Sequence, residues 1–307
     1  MNTSSNDIAP GEPMLLVIAR WVIGSIGIIA NSFVIFVFVY NKTYKKSLSL
    51  KLLLHQTVVD LIGSLIFLIL YNIEVPDGTA GTIFCKMEFF FFYASATSTY
   101  NFVLLTVERY IAVVHPLLYR QKSLSGKITY LSLISPHVCG VLIMMCLPIF
   151  ADVSSNEKKC TLKEMNAVVG ILLILCQFLL PICIMLYCYV KMLIKIRKTR
   201  IVNHRFPIEF QPSARIGAQR FKSDLITTLI LIACVYVVTV SPIHVVMLVH
   251  FLCGCLSYIF MKVGVVFLDL NLTINPFIYC MACKDFQRGL HKLRDAIFQT
   301  PELETQN

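Results

Sequence analysis

The chain is short of charge. Only 14% of its 307 residues are Asp, Glu, Lys or Arg, 57% are hydrophobic, and mean hydropathy is +0.75. A soluble domain of this length exposes far more charge, so a water-soluble globule is excluded. No internal repeat or low-complexity tract is present, which argues against the paired halves of a secondary transporter. No stretch between the apolar runs is long enough for a second domain. Residues 1–13 lack a basic n-region and a cleavage pattern, so no removed signal peptide is expected and the first apolar run is expected to act as an uncleaved signal anchor.

What the chain has instead is seven apolar stretches: Met14 to Tyr40, Leu52 to Asn72, Cys85 to Val114, Ile128 to Ala151, Ala167 to Leu193, Leu225 to Leu252 and Leu256 to Ala282. Each is about long enough to cross a bilayer as a helix. The expected fold is an all-α membrane protein, a seven-transmembrane helix bundle over residues 14–282, followed by a cytoplasmic tail at 283–307. In that tail Phe286, Leu290, Leu293 and Ile297 recur at helical spacing while Lys284, Arg288, Lys292 and Arg294 take other faces. This pattern predicts a short amphipathic helix lying on the membrane.

Twenty of the 27 Lys and Arg residues fall on one side of the bundle. Lys42, Lys45, Lys46 and Lys51 follow the first stretch, Arg120, Lys122 and Lys127 the third, and Lys284, Arg288, Lys292 and Arg294 the seventh; nine more lie between Lys191 and Lys222. The positive-inside rule makes that side cytoplasmic and residues 1–13 extracellular, as in a multi-pass plasma-membrane protein. The net charge of +10 then reads as topology plus attraction to anionic membrane lipid, and its division among four segments makes nucleic acid a poor partner. Asn2-Thr3-Ser4 is a glycosylation sequon on the outer side; Asn41-Lys42-Thr43 and Asn271-Leu272-Thr273 match but fall where the transferase does not reach.

Most of the twelve cysteines sit inside apolar stretches, where a thiol is a small hydrophobe. Cys253-Gly254-Cys255, in the last outer loop, reads either as a tight pair or as two free thiols. Glu108-Arg109-Tyr110 closes the third stretch, and an intramembrane charge costs about 2.5–3.5 kcal/mol. Two adjacent charges at that depth imply a task.

With Pro116 and Tyr119 following, this segment resembles the motif closing the third helix of rhodopsin-like G-protein-coupled receptors. Asn275-Pro276-Phe277-Ile278-Tyr279 resembles that family's Asn-Pro-x-x-Tyr motif, and the resemblance covers essentially the whole chain. A finer likeness, to invertebrate orphan receptors similar to galanin receptors, is carried by His55-Gln56-Thr57-Val58-Val59-Asp60 and Tyr100-Asn101-Phe102-Val103.

The resemblance implies a receptor rather than an enzyme, with a heterotrimeric G protein as partner. Glu108, Arg109, Tyr110, Tyr189, Asn275, Pro276 and Tyr279 would form the activation switch, although Tyr189 also reads as an interfacial anchor. Lys222 stands where some relatives place an acid that locks the arginine, leaving Asp224 as the alternative. A disulfide between Cys85 and Cys160 is implied, with one residue fewer than the family spacing between Cys85 and Arg109. Asn31 and Asp60 resemble the asparagine and aspartate of the first two helices. Asp60 is either a neutral structural carboxyl or, with Ser98, Asn271 and Asn275, a sodium site built from oxygen ligands. No other cofactor is implied.

The sequence also departs from the pattern. Its single tryptophan is Trp21, so the family's fourth-helix tryptophan is missing, and Val240 replaces the one preceding Pro242; Tyr236 keeps the aromatic four residues earlier. Phe91 stands where amine receptors carry an aspartate, and Asp269 where opsins carry the retinal lysine, which excludes retinal. A peptide, slightly favoured, or a small polar molecule remains as extracellular ligand, with Arg20, Phe91, Phe92, Ser95, Gln177, His244 and Asp269 as pocket candidates against ordinary packing. Arg20 and Asp269 stand at matching depth, which suggests a salt bridge. Otherwise Arg20 snorkels and Asp269 bonds a hydroxyl or protonates, or Asp269 meets a ligand cation. A non-signalling decoy receptor of the same fold is the runner-up function. A transporter, or a protease built on Asp60 and Asp269, is further off, since neither aspartate lies in a catalytic motif.

Overall fold

The computed structural model describes residues 12–122, 126–154, 159–163, 165–205, 212–254 and 258–298. The Asn2 sequon and Cys255, together with the side chains of Lys222, Asp224 and Ile297, lie outside what is described. The long helices are α1 (Met14–Tyr40), α2 (Leu48–Leu70), α4 (Phe89–Val114), α6 (Gly126–Met144), α9 (Leu180–Arg205), α10 (Pro212–Cys253) and α11 (Tyr258–Ala282). Shorter pieces connect them: α3 (Gly78–Met87), α5 (Pro116–Lys122), α7 (Leu147–Phe150) and α8 (Ala167–Ile174), which runs into α9; α12 (Lys284–Phe298) follows α11.

Local chemistry sets the ends of these helices. Ser47 caps α2 by accepting the Leu50 N–H at 3.3 Å, and Asn166 caps α8 by accepting that of Val168 at 2.9 Å. Pro116 stands two residues after the last helical position of α4, Val114, and its steric demand on His115 ends the helix there. The third apolar stretch does not enter as one helix from Cys85. It is jointed at Glu88, where 3₁₀-type bonds from Glu88 N to Cys85 O (3.3 Å) and from Phe91 N to Glu88 O (3.1 Å) tighten the turn. This joint accommodates the missing residue between Cys85 and Arg109.

Among the described residues six spans are long and apolar enough to cross a membrane by composition, and α4 is not one of them. Ser95, Thr97, Ser98, Thr99, Asn101, Thr106 and Glu108 of α4 are all buried. The helix packs against α2, α6 and α9, so it carries polar groups that a lipid-facing helix would leave unsatisfied. The outward faces are apolar instead: Trp21, Ile29, Phe33 and Phe36 of α1 and Leu142 of α6 are exposed, as a bilayer solvent demands.

Two prolines free carbonyls that other helices use. Pro276 in α11 has no N–H for the Leu272 carbonyl, and Asn31 Nδ2 of α1 donates to it at 3.1 Å. Pro181 does the same to Gln177 just past a π-helical turn at Leu175–Leu179, and the Tyr236 hydroxyl of α10 donates to that carbonyl at 2.6 Å. Tyr100 of α4 donates to the neighbouring Cys176 carbonyl at 2.7 Å. After α11, α12 tucks Phe286 against Phe38 with ring centroids 5.8 Å apart and buries Leu293.

Candidate functional site

At one end of the bundle Glu108 is buried and has three partners. Ser49 Oγ and Tyr119 OH, the latter at 2.7 Å, donate to it, and Arg109 Nε pairs with it at 3.4 Å. Tyr110 stays at the rim against Tyr187 and His115. Tyr189 is buried, with its hydroxyl 3.1 Å from Thr106 Oγ1, so it is a bundle residue and not an interfacial anchor. Tyr279 is fully buried and its hydroxyl has no hydrogen-bond partner among the described residues.

In the middle, Asp60 is fully buried. Its Oδ1 accepts from Gln56 Nε2 at 2.8 Å and Ser98 Oγ at 2.9 Å, and its Oδ2 accepts from Asn275 Nδ2 at 2.8 Å. Asn271 turns away to donate to Thr239 Oγ1 of α10 at 2.8 Å. Of the residues expected to hold sodium, Ser98 and Asn275 thus meet Asp60, while the Asn271 amide nitrogen is spent on Thr239. Gln56 was missed in the sequence, although its place one turn before Asp60 puts both on one helix face. Asn101 Nδ2 donates to Gln56 Oε1 at 2.7 Å and to the Leu52 carbonyl at 3.0 Å. That carbonyl only accepts, which fixes Asn101 and in turn aims the Gln56 amide nitrogen at Asp60. Beyond Asn101, His55 and His137 meet at 2.8 Å, and the other ring nitrogen of His137 meets Tyr93 OH at 2.7 Å.

The other end opens into a cavity of about 440 Å³, with Phe92, Ser95, Gln177 and His244 in its wall beside Tyr71, Glu88, His250, Tyr258 and Lys262. The Cys85–Cys160 disulfide forms, with the Cα atoms 5.3 Å apart. It ties α3 to a two-stranded hairpin, β1 (Ala151–Val153) antiparallel to β2 (Cys160–Leu162), that borders this cavity. Asp152 of β1 accepts from Lys163 Nζ at 2.7 Å and Thr82 Oγ1 at 2.9 Å, and the Lys163 hydrogen bond chiefly, with those of Thr82 and the Val153 N–H, lowers its carboxyl to about 2. Cys253 is a free, exposed thiol.

Three pocket candidates are elsewhere. Phe91 is fully buried and packs on Phe67 and Tyr71 with centroids 5.4 Å away, so it is core. Arg20 and Asp269 form no salt bridge. The Arg20 guanidinium pairs with Glu12, just ahead of α1, and is 3.4 Å from Asn72 Oδ1. Lys262 of α11 reaches the same Glu12 at 3.0 Å. Glu12 outcompetes Asp269 because it sits at the bundle rim, where pairing requires less desolvation. Burial pushes the Glu12 carboxyl up, yet the hydrogen bonds and charges of Arg20 and Lys262 outweigh it and leave it below the usual value. Asp269 is fully buried and stands beside the Ser64 hydroxyl of α2.

A helical bundle with a roofed cavity at one end and a buried, ion-paired Glu-Arg at the other defines a seven-helix membrane receptor. The family model for the 7 transmembrane receptor (rhodopsin family) matches residues 30–279, and the chain belongs to that family; it is a G-protein-coupled receptor, a multi-pass protein of the plasma membrane. Similar proteins include G-protein coupled receptor 183 of Mus musculus, 26% identical over 301 residues, which cover 87% of this chain and 78% of that protein. Galanin receptor type 1 of Mus musculus is 24% identical, covering 91% and 81%, and the Allatostatin-A receptor of Bombyx mori is 22% identical, covering 94% and 83%.

Proposed function

We propose that the receptor takes a peptide end or a small polar molecule into the 440 Å³ cavity from outside the cell and signals through Arg109 at the opposite end. The observation that carries this reading is the pairing of a cavity tethered by the Cys85–Cys160 strap with a Glu108–Arg109 ion pair at the other extreme of the same bundle. Ligand binding selects a state in which Arg109 leaves Glu108 and the ends of α9 and α10 part to admit the G protein. Residues 1–13 are outside in this orientation, and the basic segments meet anionic lipid and the G protein. Likeness to galanin and allatostatin receptors favours a peptide.

A ligand-library screen in cells carrying a promiscuous G-protein reporter tests the reading. Hits should lose stimulated nucleotide exchange in Arg109→Ala while surface delivery stays within about twofold. Full signalling by Arg109→Ala would overturn the transducing role, and ligands that bind without any exchange would indicate a decoy.

A further inference from the structure

Three titratable side chains that ligand binding and signalling leave unused meet between the two ends of the bundle, where α2, α4 and α6 come together. His55 Nε2 of α2 and His137 Nε2 of α6 are 2.8 Å apart, and the two rings stand edge to face with centroids 4.9 Å apart. Each ring has an oxygen of α4 on its far side. Asn101 Oδ1 lies 3.1 Å from His55 Nδ1, and Tyr93 OH lies 2.7 Å from His137 Nδ1. Both imidazoles are half-buried.

The proton on each of these atoms can be placed. Asn101 spends its amide hydrogens on the Leu52 carbonyl and Gln56 Oε1, so its Oδ1 only accepts. His55 Nδ1 therefore carries a hydrogen, which leaves the Nε2 of a neutral His55 bare. His137 Nε2 donates to it, so the Nδ1 of a neutral His137 is bare and the Tyr93 hydroxyl donates there. The neutral chain runs one way, from Tyr93 through His137 and His55 to Asn101, and every donor in it has its acceptor.

One more proton breaks that order. On His55 Nε2 it sets N–H against N–H across 2.8 Å, and on His137 Nδ1 it sets N–H against the Tyr93 O–H. Tyr93 can turn its hydrogen away, but Asn101 cannot reverse, because the Leu52 carbonyl only accepts. The titratable groups that face each ring are the other ring and, from α4, Tyr93; Asp60 lies behind Asn101 and Gln56 with its oxygens already filled by three donors. A charge gained here thus meets no carboxylate, and an unpaired cation in an apolar bundle is costly. We propose that the His55–His137 pair is a proton-operated clasp, closed while both rings are neutral and opened between α2 and α6 when one of them takes up a proton. A receptor so built is tight at neutral pH and loosened in an acidified compartment.

The test is thermal unfolding of the purified full-length receptor between pH 7.5 and 5, beside His137→Phe, which keeps a ring and removes both nitrogens. Neither ligand nor G protein enters the measurement, so its outcome is independent of the signalling reading. At pH 7.5 His137→Phe should lower the midpoint by about 3–6 °C, the size of one to two lost hydrogen bonds. The unfolded chain takes up protons on its imidazoles as pH falls through about 6.5, whereas in the folded chain such a proton costs the clasp. The wild type should therefore lose stability faster than the variant on the acid side, and the difference between them should shrink below about 1 °C at pH 5. A difference that stays level or widens towards pH 5 overturns the proposal. If His137→Phe fails to fold, nitrogen-15 NMR of the wild-type histidines decides. At pH 7.5 His55 should carry its hydrogen on Nδ1 and His137 on Nε2, and both signatures should disappear over the range in which the midpoint falls. Opposite tautomers at pH 7.5, or the same two persisting at pH 5, overturn it.

Discussion

In the proposed mechanism Glu108 holds the resting state. Its carboxylate has a charged neighbour in Arg109, but Ser49 on α2 and Tyr119 on α5 also donate to it. A hydrogen bond to a charged group is worth about 1.5–3 kcal/mol, and roughly 1.4 kcal/mol is a tenfold change in an equilibrium. Tyr119→Phe removes one such bond and leaves the ring in place, so ligand-independent nucleotide exchange should rise about tenfold at matched receptor number. Unchanged basal exchange would show that Tyr119 restrains nothing. The Glu108-Arg109-Tyr110 segment was legible because charges at that depth are rare, whereas Ser49 was not, since a hydroxyl in an apolar run carries no signal until its partner is placed.

At the scale of elements, prolines in α9 and α11 lend their freed carbonyls to neighbouring helices. Gln177 accepts from Tyr236 because Pro181 offers no N–H, which fastens the π-helical turn to α10. Tyr236→Phe should strand that carbonyl and lower stability by about 1–3 kcal/mol. Pro181→Ala supplies the missing N–H, so the double variant should regain most of the loss in a thermal unfolding series; simple addition of the two losses would separate the residues. Tyr236 was readable as a single marker. Its bond to Gln177 was not, because it joins residues 59 apart through a backbone atom that any sequence possesses. The same limit explains why Arg20 and Asp269 suggested a pair: depth along each helix was readable, but Glu12, outside the first apolar run, was the stronger competitor.

Across the whole molecule, the disulfide end is closed by charge as well as by covalent bonds. Glu12 binds Arg20 of α1 and Lys262 of α11 together, joining the first and last spans beside the cavity wall. Removing its charge leaves two cations facing each other, so Glu12→Gln should lower the thermal midpoint and loosen the contact between α1 and α11. The pH dependence follows from the Glu12 carboxyl lying below its unfolded value, ordinarily about 4.3. A depressed acid contributes its stability fully above the unfolded value and loses it as pH falls through the folded one. The gap between wild type and Glu12→Gln should therefore stay constant from about pH 7 to 5.5 and close only below about 4. Partial exposure lets salt screen the clamp, so the gap should also shrink in high salt. Unfolding midpoints over that pH range decide the matter: a gap that persists at about pH 3 would mean Glu12 acts by packing and not by charge.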